Sequence, residues 1–242
     1  MRNKILWYAL KYDGDWTKIG NAIKNKEEYQ CLSSYPFPYI TIVDPQYPKI
    51  FLRLRFPPWI LFYQGNLRLL ENDMVGIVGS RICSQQALRN TEEVVKILKR
   101  KYCIVSGLAK GIDAKAHSSA LDQKTIGIIG CGIDVIYPKE NAYLYQEMSK
   151  NHLILSEYPM GSKPLKHHFP WRNRLIAACS SFLIVIEAKK QSGTMLTVNE
   201  CLSLSIPVYC LPTAFENIAY EGCNYLIENG ANILLKEELE YL

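Results

Sequence analysis

At 242 residues, 48% hydrophobic and 21% charged, the chain has a globular composition that excludes wholesale disorder and suits one large domain or a medium and a small one. Lysine and arginine outnumber aspartate and glutamate 28 to 23, a balance of +5 that fits a polyanion partner without requiring one. The eight cysteines are scattered singly with no Cys-x-x-Cys spacing, which argues against a metal site and for reduced, buried thiols in a cytoplasmic protein. The start, Met-Arg-Asn-Lys-Ile-Leu-Trp-Tyr, lacks the pattern of a signal peptide, and no apolar run nears the roughly 20 residues of a membrane span, so no membrane partner is expected.

Residues 1 to about 70 are rich in aromatics and proline (Tyr35-Pro36-Phe37-Pro38, Tyr47-Pro48, Pro57-Pro58-Trp59), which predicts one or two short helices and then an extended segment ending at 59–64. Residues 66–73 read as a short helix leading into the main domain. From Met74, short β-branched runs alternate with amphipathic stretches. Strands are expected at 74–79, 102–106, 125–129, 153–156, 182–187, 207–211 and 231–235. Helices are expected at 84–100, 113–122, 140–149, 171–179, 194–205 and 222–229. Nearly continuous apolar strands alternating with helices predict an α/β fold, a Rossmann-type, doubly wound, mostly parallel sheet behind a small N-terminal helical and extended segment. The expected division is 1–38, a reduced helical region; 39–73, a connecting segment packed on the core; and 74–242, the Rossmann-like domain.

Ligands of such sheets bind where strands run into loops at their carboxyl ends. After the first strand come Gly79, Ser80 and Arg81: a tight turn, a hydroxyl and a planar fork suited to phosphate, though Gly79 could merely end the strand and Arg81 pair on the surface. The next loop, 106–113, offers Ser106, Gly107 and Lys110, with Asp113 as helix cap and His117 one turn on, placed for a structural contact with that acid more than for acid–base chemistry. Gly130-Cys131-Gly132 is half a dinucleotide fingerprint and lacks the rest, so no cofactor is expected. In 166–174, Lys166, Arg172 and Arg174 flank the rings of Phe169 and Trp171 with no acid between them. Cations among flat rings suit a single nucleic-acid strand, although Phe169 and Trp171 could instead be core residues before a solvated turn. Ser192 and Gly193 open a helix and could hold a phosphate or simply cap it.

Taken in order, Gly79-Ser80-Arg81, Ser106 to Asp113 with Ala116-His117, and Gly130-x-Gly132-Ile133-Asp134-x-x-Tyr137-Pro138 resemble the DNA-processing protein A (DprA, or Smf) family. The likeness continues through Ser156-Glu157-Tyr158-Pro159-x-Gly161, Phe169-Pro170-x-Arg172-Asn173-Arg174, Glu187-Ala188, Ser192-Gly193-Thr194 and Gly222-x-Asn224-x-Leu226-Ile227, from about residue 39 to 235. The resemblance implies an extended Rossmann-type fold and a single-stranded DNA-binding protein of natural transformation that protects incoming strands, helps load the RecA recombinase and forms a homodimer, and that is not an enzyme. Carried over by position, Arg81 would clamp a phosphate, Lys166 would pair with the backbone and Phe169 would stack a base. Arg172 and Arg174 would add positive field or brace the pocket, and Gly79, Ser80, Ser106, Gly107, Ser192 and Gly193 would supply donors. Family members often carry a fuller N-terminal helical domain and a C-terminal winged helix; here a reduced region is expected in front and no appendage behind.

The rival reading is a nucleotide-processing enzyme of the lysine-decarboxylase-like phosphoribohydrolase type, which resembles this chain in a glycine–threonine turn with a downstream glutamate. That class wants the glutamate three residues after the threonine; here position 197 is threonine and Glu200 comes six after Thr194. The apolar stretch 207–235, with Tyr209, Tyr220, Tyr225 and Leu226, could serve as core or as subunit interface.

Overall fold

The computed structural model describes residues 1–214 and 216–242. Helices α1 (Arg2–Lys11) and α2 (Trp16–Lys24) come first, α2 capped by the Asp15 carboxylate, which accepts from the Lys18 amide. Strands β1 (Tyr39–Thr41) and β2 (Ile60–Gly65) follow. The alternating series is then β3 (Met74–Val78), α3 (Gln85–Leu98), β4 (Cys103–Ser106), α4 (Ile112–Ser119), β5 (Thr125–Ile129), α5 (Ala142–Asn151), β6 (Leu153–Ser156), α6 (His168–Cys179), β7 (Phe182–Val185), α7 (Gly193–Ser203), β8 (Val208–Cys210), α8 (Gly222–Glu228) and β9 (Asn232–Ile233).

The described residues form a nine-stranded sheet in the order β1-β2-β6-β5-β4-β3-β7-β8-β9. The seven strands from β6 to β9 pair in parallel, and β1 and β2 extend the sheet antiparallel beyond β6. The proline-rich 39–73 segment therefore continues the sheet itself. Prolines fall between its strands, where no ladder hydrogen bond is lost.

Alternation along each strand sends side chains to two apolar layers. Met74, Val78, Val105, Ile128 and Val185 face α6, α7 and α8. On the other face, Val75, Ile77, Ile104 and Ile184 meet α3 and α4, while Ile129, Ile154 and Phe62 meet α5, α1 and α2. Strand order reverses between β3 and β7. To get from β6 to β7 the chain must cross the sheet, and α6 makes that crossing; all its residues from Arg172 to Cys179 are buried. The helix starts three residues before the expected 171, because Pro170 lies in the first turn, where a missing N–H costs nothing.

Two local expectations fail. The cap residue of α4 is Gly111, and Asp113 sits inside the helix's first turn. His117 contacts Thr125, not Asp113: its Nδ1 lies 2.7 Å from Thr125 Oγ1, whose own proton goes to the Ile104 carbonyl at 2.9 Å. His117 is therefore a donor at Nδ1, and burial drives its pKa down to about 3. The eight cysteines are free thiols, six of them buried, as packed hydrophobes would be. No helix of the described residues is long and apolar enough to cross a membrane, and no acid, histidine or cysteine cluster among them could hold a metal.

Because the unfolded chain protonates His117 below about pH 6.5 while the fold resists until about pH 3, this group's contribution is complete above the first value and is lost as pH falls toward the second. Burial shifts His152 and His168 the same way. Urea unfolding should show His117 lowering stability by roughly 1.4 kcal/mol per pH unit below about pH 6, and a His117→Gln variant should show a shallower slope.

Candidate nucleic-acid interface

The strand-order reversal leaves a crevice between the loops that follow β3 and β7, and the structure has there an open groove of about 710 Å³. Loop 79–84 forms one wall, the α7 start and Lys189 another. The first turn of α6 with Lys166, and Tyr137 from the loop after β5, close the rest. Glu187, at the exit of β7, locks the first wall. Its carbonyl accepts from the Ser80 amide at 2.8 Å, and its carboxylate accepts from the Ser84 amide at 2.8 Å and the Ser84 hydroxyl at 2.7 Å. Ser84 Oγ in turn accepts from the Ala87 amide and caps α3.

Within the groove the Arg81 guanidinium lies 5.2 Å from the Phe169 ring centroid, and Tyr137 packs on the same ring at 5.6 Å. Arg81, Lys166 and Lys189 are exposed and have no carboxylate within ion-pair distance among the described residues. Ser192 donates its hydroxyl to the Lys189 carbonyl and makes no side-chain cap, so the first-turn amides of α7 point out at Gly193 and Thr194 with no intrahelical acceptor. Asn173 ties α6 to this corner by donating to the Gly193 carbonyl at 3.3 Å.

Of the twelve residues singled out from the sequence, Gly79, Ser80, Arg81, Lys166, Phe169, Arg172, Ser192 and Gly193 line this one groove. The other four lie elsewhere. Ser106 is fully buried and donates to the Ile77 carbonyl at 2.6 Å. Gly107 lies beneath the Arg172 guanidinium, so close that a Cβ would overlap it. Lys110 pairs with Glu140 at 2.5 Å on the surface. Arg174 is 4% exposed and grips the Glu157 carboxylate with two hydrogen bonds of 2.5 and 2.6 Å, while also donating to the Trp171 and Phe56 carbonyls. Trp171 turns away from Phe169 and packs on Phe56 at 5.6 Å, under Arg174. Spacing along the chain does not reveal the surroundings of each cation, since its partners come from elements far away in sequence.

Arg172 belongs to the groove floor and to the core at once. It is 4% exposed and donates to the Ile128 carbonyl, with its Nε unpartnered among the described residues. Burial lowers its affinity for its proton, and the Asp113 carboxylate, also on the floor, opposes that shift; burial likewise raises the Asp113 pKa against the pull of Arg172. Tyr137 and Asp113, which stand in the sequence motifs without a binding role assigned to them, and Lys189, which stands in none, also line the groove. For Lys189 a signal exists: it stands on the same post-strand loop as Ser192, three residues nearer the end of β7, where a phosphate-facing cation is expected.

A buried charge deprived of its partner costs about 3–5 kcal/mol, whereas replacing both partners by apolar groups of similar size is often neutral. Arg174→Ala and Glu157→Gln should each lower unfolding free energy by that order in urea titrations, and Arg174→Met with Glu157→Leu by far less.

The family model for "DNA recombination-mediator protein A" matches residues 38–240 of this chain. The DNA processing protein DprA of Streptococcus pneumoniae is 44% identical over 200 residues, 82% of this chain and 71% of that protein. An X-ray structure of DNA processing protein A from the same organism superposes with a TM-score of 0.81 at 37% identity, covering 96% of this chain and 89% of that one. A structure of DNA processing protein A from Helicobacter pylori, reported for its unique single-stranded DNA binding mode, gives a TM-score of 0.78 at 33% identity over 85% of this chain and 95% of that one.

Proposed function

This chain belongs to the DNA recombination-mediator protein A family, and from that membership and the chemistry of the groove we propose that it binds single-stranded DNA across the switch point of its sheet. The observation that carries this reading is the meeting of three unpaired cations, Arg81, Lys166 and Lys189, around one aromatic ring and one open helix start. Phosphates would lie on the cations and on the α7 amides, where the helix dipole also favours negative charge. The platform of Phe169 and Arg81 would take a base of any identity, since every base has a flat face. Arg172 acts from beneath: a fixed positive charge under the groove, oriented by the Ile128 carbonyl and seated on Gly107.

In the cell, the family resemblance supports a role in DNA uptake by transformation, with delivery of the strand to RecA and assembly as a homodimer. A pull-down with the host recombinase, with and without DNA, and sedimentation of the purified protein test these two partners. The chemistry of the groove supports binding over turnover. The one acid among the described groove-lining residues is Asp113, so paired carboxylates do not meet there, and Thr197 stands where the phosphoribohydrolase pattern wants glutamate.

Binding to oligo-dT should be sequence-tolerant, with log affinity falling linearly in log salt. Arg81→Ala and Lys166→Ala should each weaken it and flatten the slope by about 0.7 for every phosphate left unneutralised. Phe169→Ala should cost roughly 1–3 kcal/mol with the slope unchanged. Release of base from nucleoside monophosphates without oligonucleotide binding would establish the enzyme instead.

A further inference from the structure

The pairing of a cation with a ring, seen in Arg81 and Phe169, recurs twice just beyond the Ser192–Gly193 lip. Lys189 Nζ lies 5.6 Å from the Tyr220 ring centroid, and Lys190 Nζ lies 4.6 Å from that of Tyr225. Lys189 belongs to the groove; Lys190, Tyr220 and Tyr225 do not line it and take no part in holding a strand there. Both lysines are exposed and lack a carboxylate partner among the described residues, and Tyr225 is 38% exposed.

The backbone holds these side chains in place. Ala188 forms a parallel bridge with Glu221, and the Gly222 amide donates to the Ala188 carbonyl at 2.9 Å. A Cβ on Gly222 would press within 2.8 Å of the Lys189 backbone, so the lysine loop and the start of α8 meet at a separation that glycine alone permits. Tyr220 donates its hydroxyl to the Ile82 carbonyl at 3.0 Å, which fixes its ring beside the residue that follows Arg81. Asn224 brackets Thr213, accepting from its amide at 2.8 Å and donating to its carbonyl at 2.9 Å. The rings are thus mounted on the same loop system that forms the groove.

An exposed tyrosine can serve a subunit contact as well as a nucleic acid. The charges decide between them. Interface cores are depleted of lysine, because a buried ammonium without a partner is costly, whereas two adjacent unpaired ammonium groups attract a polyanion. We propose that the single strand leaves the groove over Gly193 and continues across Lys189 and Tyr220 onto Lys190 and Tyr225, a second subsite that takes further phosphates and bases. This subsite rests on the groove binding single-stranded DNA, and its test separates the two.

Affinity is measured for oligo-dT of about four and about sixteen nucleotides, the range of single-fold site sizes, with wild-type protein and with Lys190→Ala/Tyr225→Ala, while sedimentation follows the oligomeric state. The double variant should bind the short oligonucleotide like wild type and the long one roughly 5- to 100-fold more weakly, with a shallower salt slope on the long one only. Lys190→Glu, which keeps Tyr225, should weaken the long oligonucleotide alone. Equal loss on both lengths, no loss on either, or a changed sedimentation coefficient in the double variant would each overturn the subsite. Failure of wild-type protein to bind either length would reject the function of the groove, and the subsite with it.

Discussion

The buried bidentate pair between Arg174 and Glu157 decides where α6 begins, and the groove follows from that. Glu157 is the residue after β6, so the pair fastens the end of the last strand before the crossover to the second turn of the helix that makes it. With α6 held there, its first turn overhangs the carboxyl ends of the central strands, and Lys166 and Phe169 arrive opposite Arg81. Taking two charges out of water offsets most of their attraction, so the pair adds little net stability; its effect is to make any other register of α6 expensive.

Burial divides the basic residues into two populations. Arg174 and Arg172 are enclosed and hydrogen-bonded to a carboxylate or a main-chain carbonyl, and Lys110 is neutralised at the surface by Glu140. Arg81, Lys166 and Lys189 keep their charge at the surface of the groove. Screening over about 10 Å at ordinary salt means that a phosphate responds to the second set, while the net charge of the whole chain hardly matters. Arg172 lies between the two: enclosed, yet part of the groove floor, where the low dielectric preserves its field.

The switch point gives these residues a rigid frame. Loop 79–84 would be free to move on its own, but Glu187 holds it at two amides and a hydroxyl, so the walls belonging to β3 and β7 are parts of one hydrogen-bonded unit. Prior ordering of this kind lowers the entropy lost when a flexible strand is captured.

The sequence by itself determined the alternation of strands and helices, the post-strand loops as the place for a ligand, and the residue types that would meet a phosphate and a base. These are local matters: periodicity, glycine at turns, and a cation near a ring can be read within a few residues. Tertiary structure alone decided that β1 and β2 extend the sheet antiparallel, that Phe169 faces the groove while Trp171, two residues on, faces Phe56, and that Arg172 and Arg174 are enclosed where Arg81 and Lys166 are not. In a run such as 166–174 the cations look alike. What separates them is a carboxylate, a carbonyl or open water supplied by distant segments, and the free energy of a charge depends on those surroundings far more than on its neighbours in the chain.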